Sequence, residues 1–362
     1  MKGLILAGGR GTRLRPITHT SAKQLVPIAN KPILFYGIEH MSEVGITDIA
    51  IVIGETGDEV REAVGDGSRW GVAITYLDQP EPLGLAHCVQ LAAPFLGDDD
   101  FVMYLGDNML QQGLGSLVAR FEADREAASA PGASSPAARI LLCEVTDPHR
   151  FGIAEVHDDR VQHLVEKPTE PRSNLAMVGV YLFTSAIHEA TRSIEPSARG
   201  ELEIVDAIQH LIDRGETVAH EIIDGWWLDT GKKDSLLEAN RRVLEDLAPR
   251  IEGEIVDSDL DGRVVVEPGA TIRGSTVRGP AIVAAGATIV DSYVGPFTSI
   301  GEGTSIATSE IENSVVLERV KIEGVPRLVD SLIGRDSEIT RSHRPPKATR
   351  LLLGDHCAVD LQ

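Results

Sequence analysis

Between about residue 251 and residue 342 an aliphatic side chain returns at a nearly fixed interval. Val266, Ile272, Val277, Ile282, Ile289, Val294, Ile300, Ile306, Ile311, Val316, Ile322, Ile333 and Ile339 stand five to seven residues apart, with one longer gap. Small residues and glycines fill the intervals, as in Glu267-Pro268-Gly269-Ala270-Thr271 and Gly301-Glu302-Gly303-Thr304-Ser305. A hexapeptide period marks a left-handed parallel β-helix, in which each six-residue face sends one aliphatic inward and stacked coils bury a continuous core. An irregular β-sandwich is the competing arrangement. Spacing held over roughly ten repeats favours the β-helix.

The part before it has another texture. Leu4-Ile5-Leu6-Ala7, Asp48–Ile53 and Phe101–Leu105 read as short buried strands, and 32–45 and 58–64 as helices with one apolar face. Strands resume at 139–145, 152–156 and 178–183, and helical periodicity at 202–214 and 234–247, where Pro249 closes the last helix. Strands alternating with helices predict an α/β fold: a Rossmann-like, mostly parallel sheet, with ligands beyond the carboxyl ends of its strands. Residues 126–138, rich in Ala, Ser and Pro, read as a surface loop. The expected organisation is a catalytic domain over 1–248, the β-helix over 249–342, and a tail over 343–362 that packs back as a cap.

The 362 residues carry a net charge of −21. An acidic surface repels nucleic acid and anionic membranes, so neither is an expected partner. No apolar run approaches the ~20 residues of a membrane span, and Met1-Lys2-Gly3 leads into a strand rather than a signal peptide. Cys88, Cys143 and Cys357 show no paired spacing, which argues against a zinc site or a disulfide framework and suits a cytoplasmic enzyme. Against this acidic background, Arg10, Arg13, Arg15 and Lys23 crowd a stretch with no carboxylate. Such an island is what an anionic substrate needs.

The island includes Gly8-Gly9-Arg10-Gly11-Thr12-Arg13-Leu14-Arg15-Pro16, directly after the first strand. A glycine-rich loop there lets backbone N–H groups approach phosphate closely. Two better-known loops are excluded by spacing: Leu14 stands where a dinucleotide fold needs its third glycine, and Gly9 where a P-loop needs lysine. Arg can clamp phosphate bidentately while Lys acts as a point charge, and phosphoryl or nucleotidyl transfer uses both. Asp107 and Asp229, each following an apolar strand, could supply hard oxygen ligands to Mg²⁺ bridging phosphates; each could equally be a turn or cap aspartate. Gln79 carries an amide that both donates and accepts, matching the N3–H and carbonyl edge of a pyrimidine.

Gly8-Gly9-x-Gly11-Thr12-Arg13-Leu14-x-Pro16, followed by Lys23-Gln24-Leu25-Val26-Pro27-Ile28 and Lys31-Pro32, resembles the glucose-1-phosphate thymidylyltransferases. The likeness continues in order through Gln79-Pro80, Gly84-Leu85-Ala86, Leu105-Gly106-Asp107-Asn108, Phe151-Gly152, Val165-Glu166-Lys167-Pro168, the 196–203 segment and Trp227-Leu228-Asp229-Thr230-Gly231, and covers residues 1 to about 242. The added β-helix resembles the family's longer subgroup, found in deoxysugar pathways. The resemblance implies Mg²⁺-dependent transfer of a nucleotidyl group from dTTP, or UTP, to a hexose 1-phosphate. It implies Arg13 and Lys23 as catalytic cations. It assigns Leu6, Gly8, Gly9, Gly11, Gln79 and Gly84 to the nucleotide, and Gly152, Glu166, Lys167, Val178, Arg199 and Trp227 to the sugar phosphate. Asp107 and Asp229 would hold the metal, and a homo-oligomer is expected. One departure stands out: Met177-Val178-Gly179 occupies a position where short members often have Val-Thr-Gly, so a hydroxyl is missing near the sugar.

Two other classes remain open at this level. A β-helix can carry an acyltransferase, but such enzymes usually use a histidine base and residues 251–342 contain none. A non-catalytic binding module would need broken site residues, and every charged group named above is present.

Overall fold

The computed structural model describes residues 1–9, 11–19, 22–128, 135–158, 160–341 and 353–360. It divides into two compact units. One holds 1–10 and 33–228, the other 11–32 and 229–362. The expected cap over 343–362 falls largely outside the described residues.

The first unit is built on one sheet. Strands Ala73–Asp78, Asp48–Ile53, Lys2–Leu6 and Phe101–Leu105 lie side by side and run parallel. Next to Phe101–Leu105 comes the long strand Leu175–Phe183, which runs antiparallel to it, to Ala138–Glu144 and to Gly152–His157. Arg160–Glu166 pairs antiparallel with Gly152–His157, and Val218–Ile222 parallel with Ala138–Glu144. Sheets covered on both faces need strands that are apolar without alternation. Leu4 and Leu6 face a cluster that includes Ala86, Val89 and Ala92 of helix Leu85–Leu96 and Ile204 and Ile208 of helix Ile204–Asp213. On the opposite face Gly3 leaves room for the Met41 sulfur of helix Ile33–Glu43, and Gly37 of that helix for the Tyr104 ring.

In the second unit three parallel sheets of six, six and five short strands form the three-sided prism expected of a left-handed β-helix. A coil takes about 17 residues: Thr271 lies beside Thr288, and Thr288 beside Ser305. The inward column contains the expected aliphatics with one exchange. Val283, not Ile282, points into the core; Ile282 faces outward and packs with Leu244 and Ala29. The long interval between Ile322 and Ile333 holds a genuine step, filled by Leu328. Neighbouring residues of a strand face opposite sides, so the sequence period alone cannot choose between Ile282 and Val283.

The helix Lys233–Asp246 packs on this prism through Leu237, which meets Val315 and Leu317. Asn240, wholly buried on the same helix, accepts hydrogen bonds from the Ala29 N–H at 2.9 Å and the Ser299 hydroxyl at 2.6 Å. It donates to the Phe297 carbonyl at 3.1 Å. Asn30 donates to the Ile300 carbonyl at 2.9 Å. Residues 11–32 are thereby tied to the β-helix rather than to the sheet that precedes them in sequence.

The stretch read as a loop over 126–138 is shorter than expected. Helix Gly115–Ala127 takes in its first residues, Ala138 begins a strand, and 129–134 lie outside the described residues.

Candidate active site

In the first unit the carboxyl ends of the parallel strands converge as such a sheet demands. Gly8 and Gly54 end neighbouring strands and meet so closely that a Cβ on Gly54 would stand 2.8 Å from the Gly8 carbonyl oxygen. Gln79 ends the next strand, its N–H donating to the Ile53 carbonyl at 2.8 Å. Its Oε1 lies 3.3 Å from where a Cβ on Gly8 would be, so these two expected nucleotide residues face each other. Leu6 is buried just before the turn, and Gly9 is exposed after it. Gly84 precedes helix Leu85–Leu96 with φ +107°, and its Cα faces the Leu202 backbone, where a Cβ would come within 2.3 Å of the carbonyl oxygen. Only glycine fits there. Gln79 Nε2 donates to the Gly84 carbonyl at 3.3 Å.

Asp107 follows strand Phe101–Leu105 and is half-buried. Its Oδ1 accepts from Asn108 Nδ2 at 2.9 Å. Asn108 is a hub that sequence reasoning did not single out. Its Oδ1 accepts from Trp227 Nε1 at 2.6 Å and from the Gly179 N–H at 3.2 Å, while its carbonyl accepts from the Tyr104 hydroxyl. Burial, and then the Asp107 charge, push the Tyr104 phenol far above its usual range, so it stays a donor. Trp227, placed by Asn108, sits edge-on to Phe151 at 5.2 Å between ring centres. Val178 has no exposed surface, next to the irregular register of its strand around 177–181.

Gly152 and Glu166 are partners across antiparallel strands, and Glu166 Oε2 stands 3.1 Å from where a Gly152 Cβ would be. Lys167 Nζ lies 3.0 Å from Glu166 Oε1, and Arg199 Nη2 lies 3.1 Å from the same oxygen. Arg199 also holds the buried Glu203 at 2.7 Å and faces Glu201 at 3.6 Å. Carboxylates therefore crowd this corner. Asp206 nearby is raised above the usual range, by burial first and then by the charges of Glu203 and Glu166. To clamp a phosphate, Arg199 would exchange one of its carboxylates for it.

The second unit gathers the remaining expected residues. Gly11, at φ +61°, opens the short turn Thr12–Leu14, and a Cβ there would lie 2.8 Å from the Lys23 Cβ. Its carbonyl accepts from the Thr18 hydroxyl at 2.7 Å. Lys23 is buried, and its Nζ stands 3.8 Å from Asp229 Oδ1. Asp229 Oδ1 also accepts the Gly231 N–H at 3.0 Å. A Cβ on Gly231 would be 3.0 Å from the guanidinium of the exposed Arg13. Arg13, Lys23 and Asp229, far apart in sequence, thus share one corner around Gly231. Gly231 and Asn108 were legible only as motif letters and Gly54 not at all; their roles come from close approach and from a side-chain hub.

A sequence model of the nucleotidyl transferase family matches residues 2–246, and this chain belongs to that family. Within it, the chain is 56% identical over all of both chains to a glucose-1-phosphate thymidylyltransferase of Streptomyces antibioticus. It is 53% identical, over 98% of each, to one of Streptomyces griseus. A solved structure described as a glucose-1-phosphate thymidylyltransferase from Bacillus anthracis, in complex with a sucrose, is 36% identical. It covers 69% of this chain and 98% of its own, with a TM-score of 0.62.

Proposed function

We propose that this chain joins dTTP to glucose 1-phosphate, releasing dTDP-glucose and pyrophosphate, as a glucose-1-phosphate thymidylyltransferase. The observation that carries this reading is the 56% identity, end to end, with a relative bearing that name. The site chemistry agrees with it. Gln79 and the glycines at Gly8 and Gly84 suit a pyrimidine and its phosphates. Glu166, paired across strands with a residue lacking a side chain, suits sugar hydroxyls.

In the reaction an oxygen of the sugar phosphate forms a bond to the α-phosphorus of dTTP, and the bond from that phosphorus to the bridging oxygen of pyrophosphate breaks. The sugar phosphate is anionic at neutral pH, so no protein nucleophile or general base is required. What the chain supplies is position and charge: Arg13 and Lys23 neutralise the triphosphate as charge shifts towards pyrophosphate. Lys167 meets the sugar phosphate and Trp227 forms a wall, whereas Val178, with no exposed surface, can shape the site only by packing beneath it.

Each of the two expected donors suits Mg²⁺ by its chemistry. Asp107 and Asp229 offer half-buried carboxylate oxygens, and the ion takes one or two carboxylates with phosphate oxygens and water. Asp107 and Asp229 would hold the ion, and when bound it would supply Lewis-acid charge withdrawal from the substrate phosphates. The proposal also takes 1–248 as the catalytic segment, 249–342 as a β-helix serving assembly, a homo-oligomer, and a cytoplasmic setting. Pyrophosphate release measured across a grid of nucleoside triphosphates and sugar 1-phosphates tests the substrate pair. The highest kcat/KM should fall on dTTP with glucose 1-phosphate; a preference for UTP or another hexose contradicts it.

A further inference from the structure

The amide of Gln79 is held from behind by two acceptors. Nε2 lies 3.3 Å from the Gly84 carbonyl oxygen and 3.1 Å from Nδ1 of His87, in the first turn of helix Leu85–Leu96. A carbonyl can only accept, so the nitrogen, not the oxygen, must face Gly84. An amide nitrogen has two hydrogens. The second reaches His87 Nδ1 if that nitrogen carries a lone pair, which places the imidazole proton on Nε2. Both donors of Gln79 are then committed to the protein. Oε1 is left, and it is the atom turned toward Gly8 at the strand ends.

We propose that His87 is a positioning residue that fixes the Gln79 amide so that it offers the nucleobase an acceptor and no donor. The inference rests on the reading of Gln79 as a nucleobase contact. Its consequence is specific. N3 of thymine and of uracil carries a hydrogen and can donate to Oε1, whereas N3 of cytosine is a lone pair and faces that oxygen repulsively. The amide that sequence alone allows to donate and accept at once becomes a one-way reader. His87 does this without touching the base, from a helix whose start is pinned by the Gly84–Leu202 backbone contact. Two links support that anchor: the Ala86 N–H donates to the Leu202 carbonyl at 3.0 Å, and the Leu202 N–H to the Leu83 carbonyl at 2.7 Å.

The test is steady-state pyrophosphate release by the full chain with dTTP and with dCTP, for three variants. His87→Leu removes the acceptor. It should raise KM for dTTP about three- to tenfold, the worth of one hydrogen bond, leave kcat unchanged, and shrink the preference for dTTP over dCTP. His87→Asn, whose Oδ1 can stand where Nδ1 does, should restore KM and preference. Gln79→Leu should lose both. If Gln79→Leu leaves them intact, the base-contact reading fails and the inference with it. If Gln79→Leu loses them while His87→Leu does not, His87 is structural and only this inference fails. A drop in kcat alone for His87→Leu also overturns it. Should His87→Leu not fold, the ¹⁵N shifts of the wild-type imidazole decide. A hydrogen on Nε2 and a bare Nδ1 are expected; the opposite tautomer overturns the proposal.

Discussion

At the scale of single residues, placed charge is decisive. Lys23 is buried with its ammonium 3.8 Å from Asp229, in a protein with a net charge of −21, so its position is set for an anion rather than for solvent. Lys23→Ala should lower kcat by about a hundredfold or more, the range for a lost electrostatic donor, in the pyrophosphate-release assay. Near-normal turnover would remove Lys23 from the chemistry. Cys88 makes a different residue-scale prediction. Burial pushes its thiol up to about 12 from an ordinary 9.0. A raised acid pKa favours the neutral folded form, so this contribution to stability is complete below pH 9 and is lost as pH rises from 9 towards 12. Alkylation at pH 8.5 should modify the exposed Cys357 and spare Cys88; rapid modification of native Cys88 would contradict this. Residue types were legible in sequence at this scale, and partners were not. The Arg13–Lys23–Asp229 corner draws on positions about two hundred residues apart, and Arg199 showed no sign of its three carboxylates until the chain folded.

At the scale of elements, legibility followed periodicity. Strands Asp48–Ile53 and Phe101–Leu105 were readable to the residue because both faces are buried and the apolar run has clean ends. Strand Ala73–Asp78 escaped notice: it lies at the sheet edge, half-exposed, and its AITYLD sequence carries neither a continuous apolar run nor a buried face. The β-helix was legible from its aliphatic period, but a second ladder was not. Ser258, Ser275, Ser292 and Ser309 stack one per coil. Each hydroxyl donates to a carbonyl of its own coil and accepts the N–H of the next coil's residue, as Ser275 Oγ does from Ser292 at 3.0 Å. Serine is common in loops, so its period looks like turn chemistry until the coils stack. The sharpest element-scale prediction concerns Asn240, which joins helix Lys233–Asp246, Ala29 and the β-helix through three hydrogen bonds. Asn240→Ala should cost about 3 kcal/mol or more, because each buried partner left unsatisfied costs about 1–3 kcal/mol. A urea midpoint within error of wild type would contradict that role.

At the scale of the whole molecule the two fold types were evident from texture, while compactness groups the chain in a way that no local pattern reports. Sequence places a boundary near residue 248, whereas residues 11–32 and 229–248 form a compact unit with the β-helix. Hydrogen bonds of Ala29 and Asn30 to residues more than two hundred positions away account for this, and no local pattern reports them. Net charge is also a property of the whole. A charge of −21 resists compaction through self-repulsion, which salt screens. The melting temperature should therefore rise as NaCl goes from low concentration to about 0.15 M, where the screening length is about 8 Å. A fall would mean that stabilising ion pairs outweigh the repulsion.

This chain makes a nucleotide sugar from a triphosphate and a sugar phosphate. Phosphorus NMR of the full chain with dTTP, glucose 1-phosphate and Mg²⁺ tests it directly. Matched growth of the dTDP-glucose diphosphate signals and of pyrophosphate is expected, abolished by EDTA. Unchanged triphosphate, or hydrolysis to phosphate with no nucleotide sugar, would contradict it.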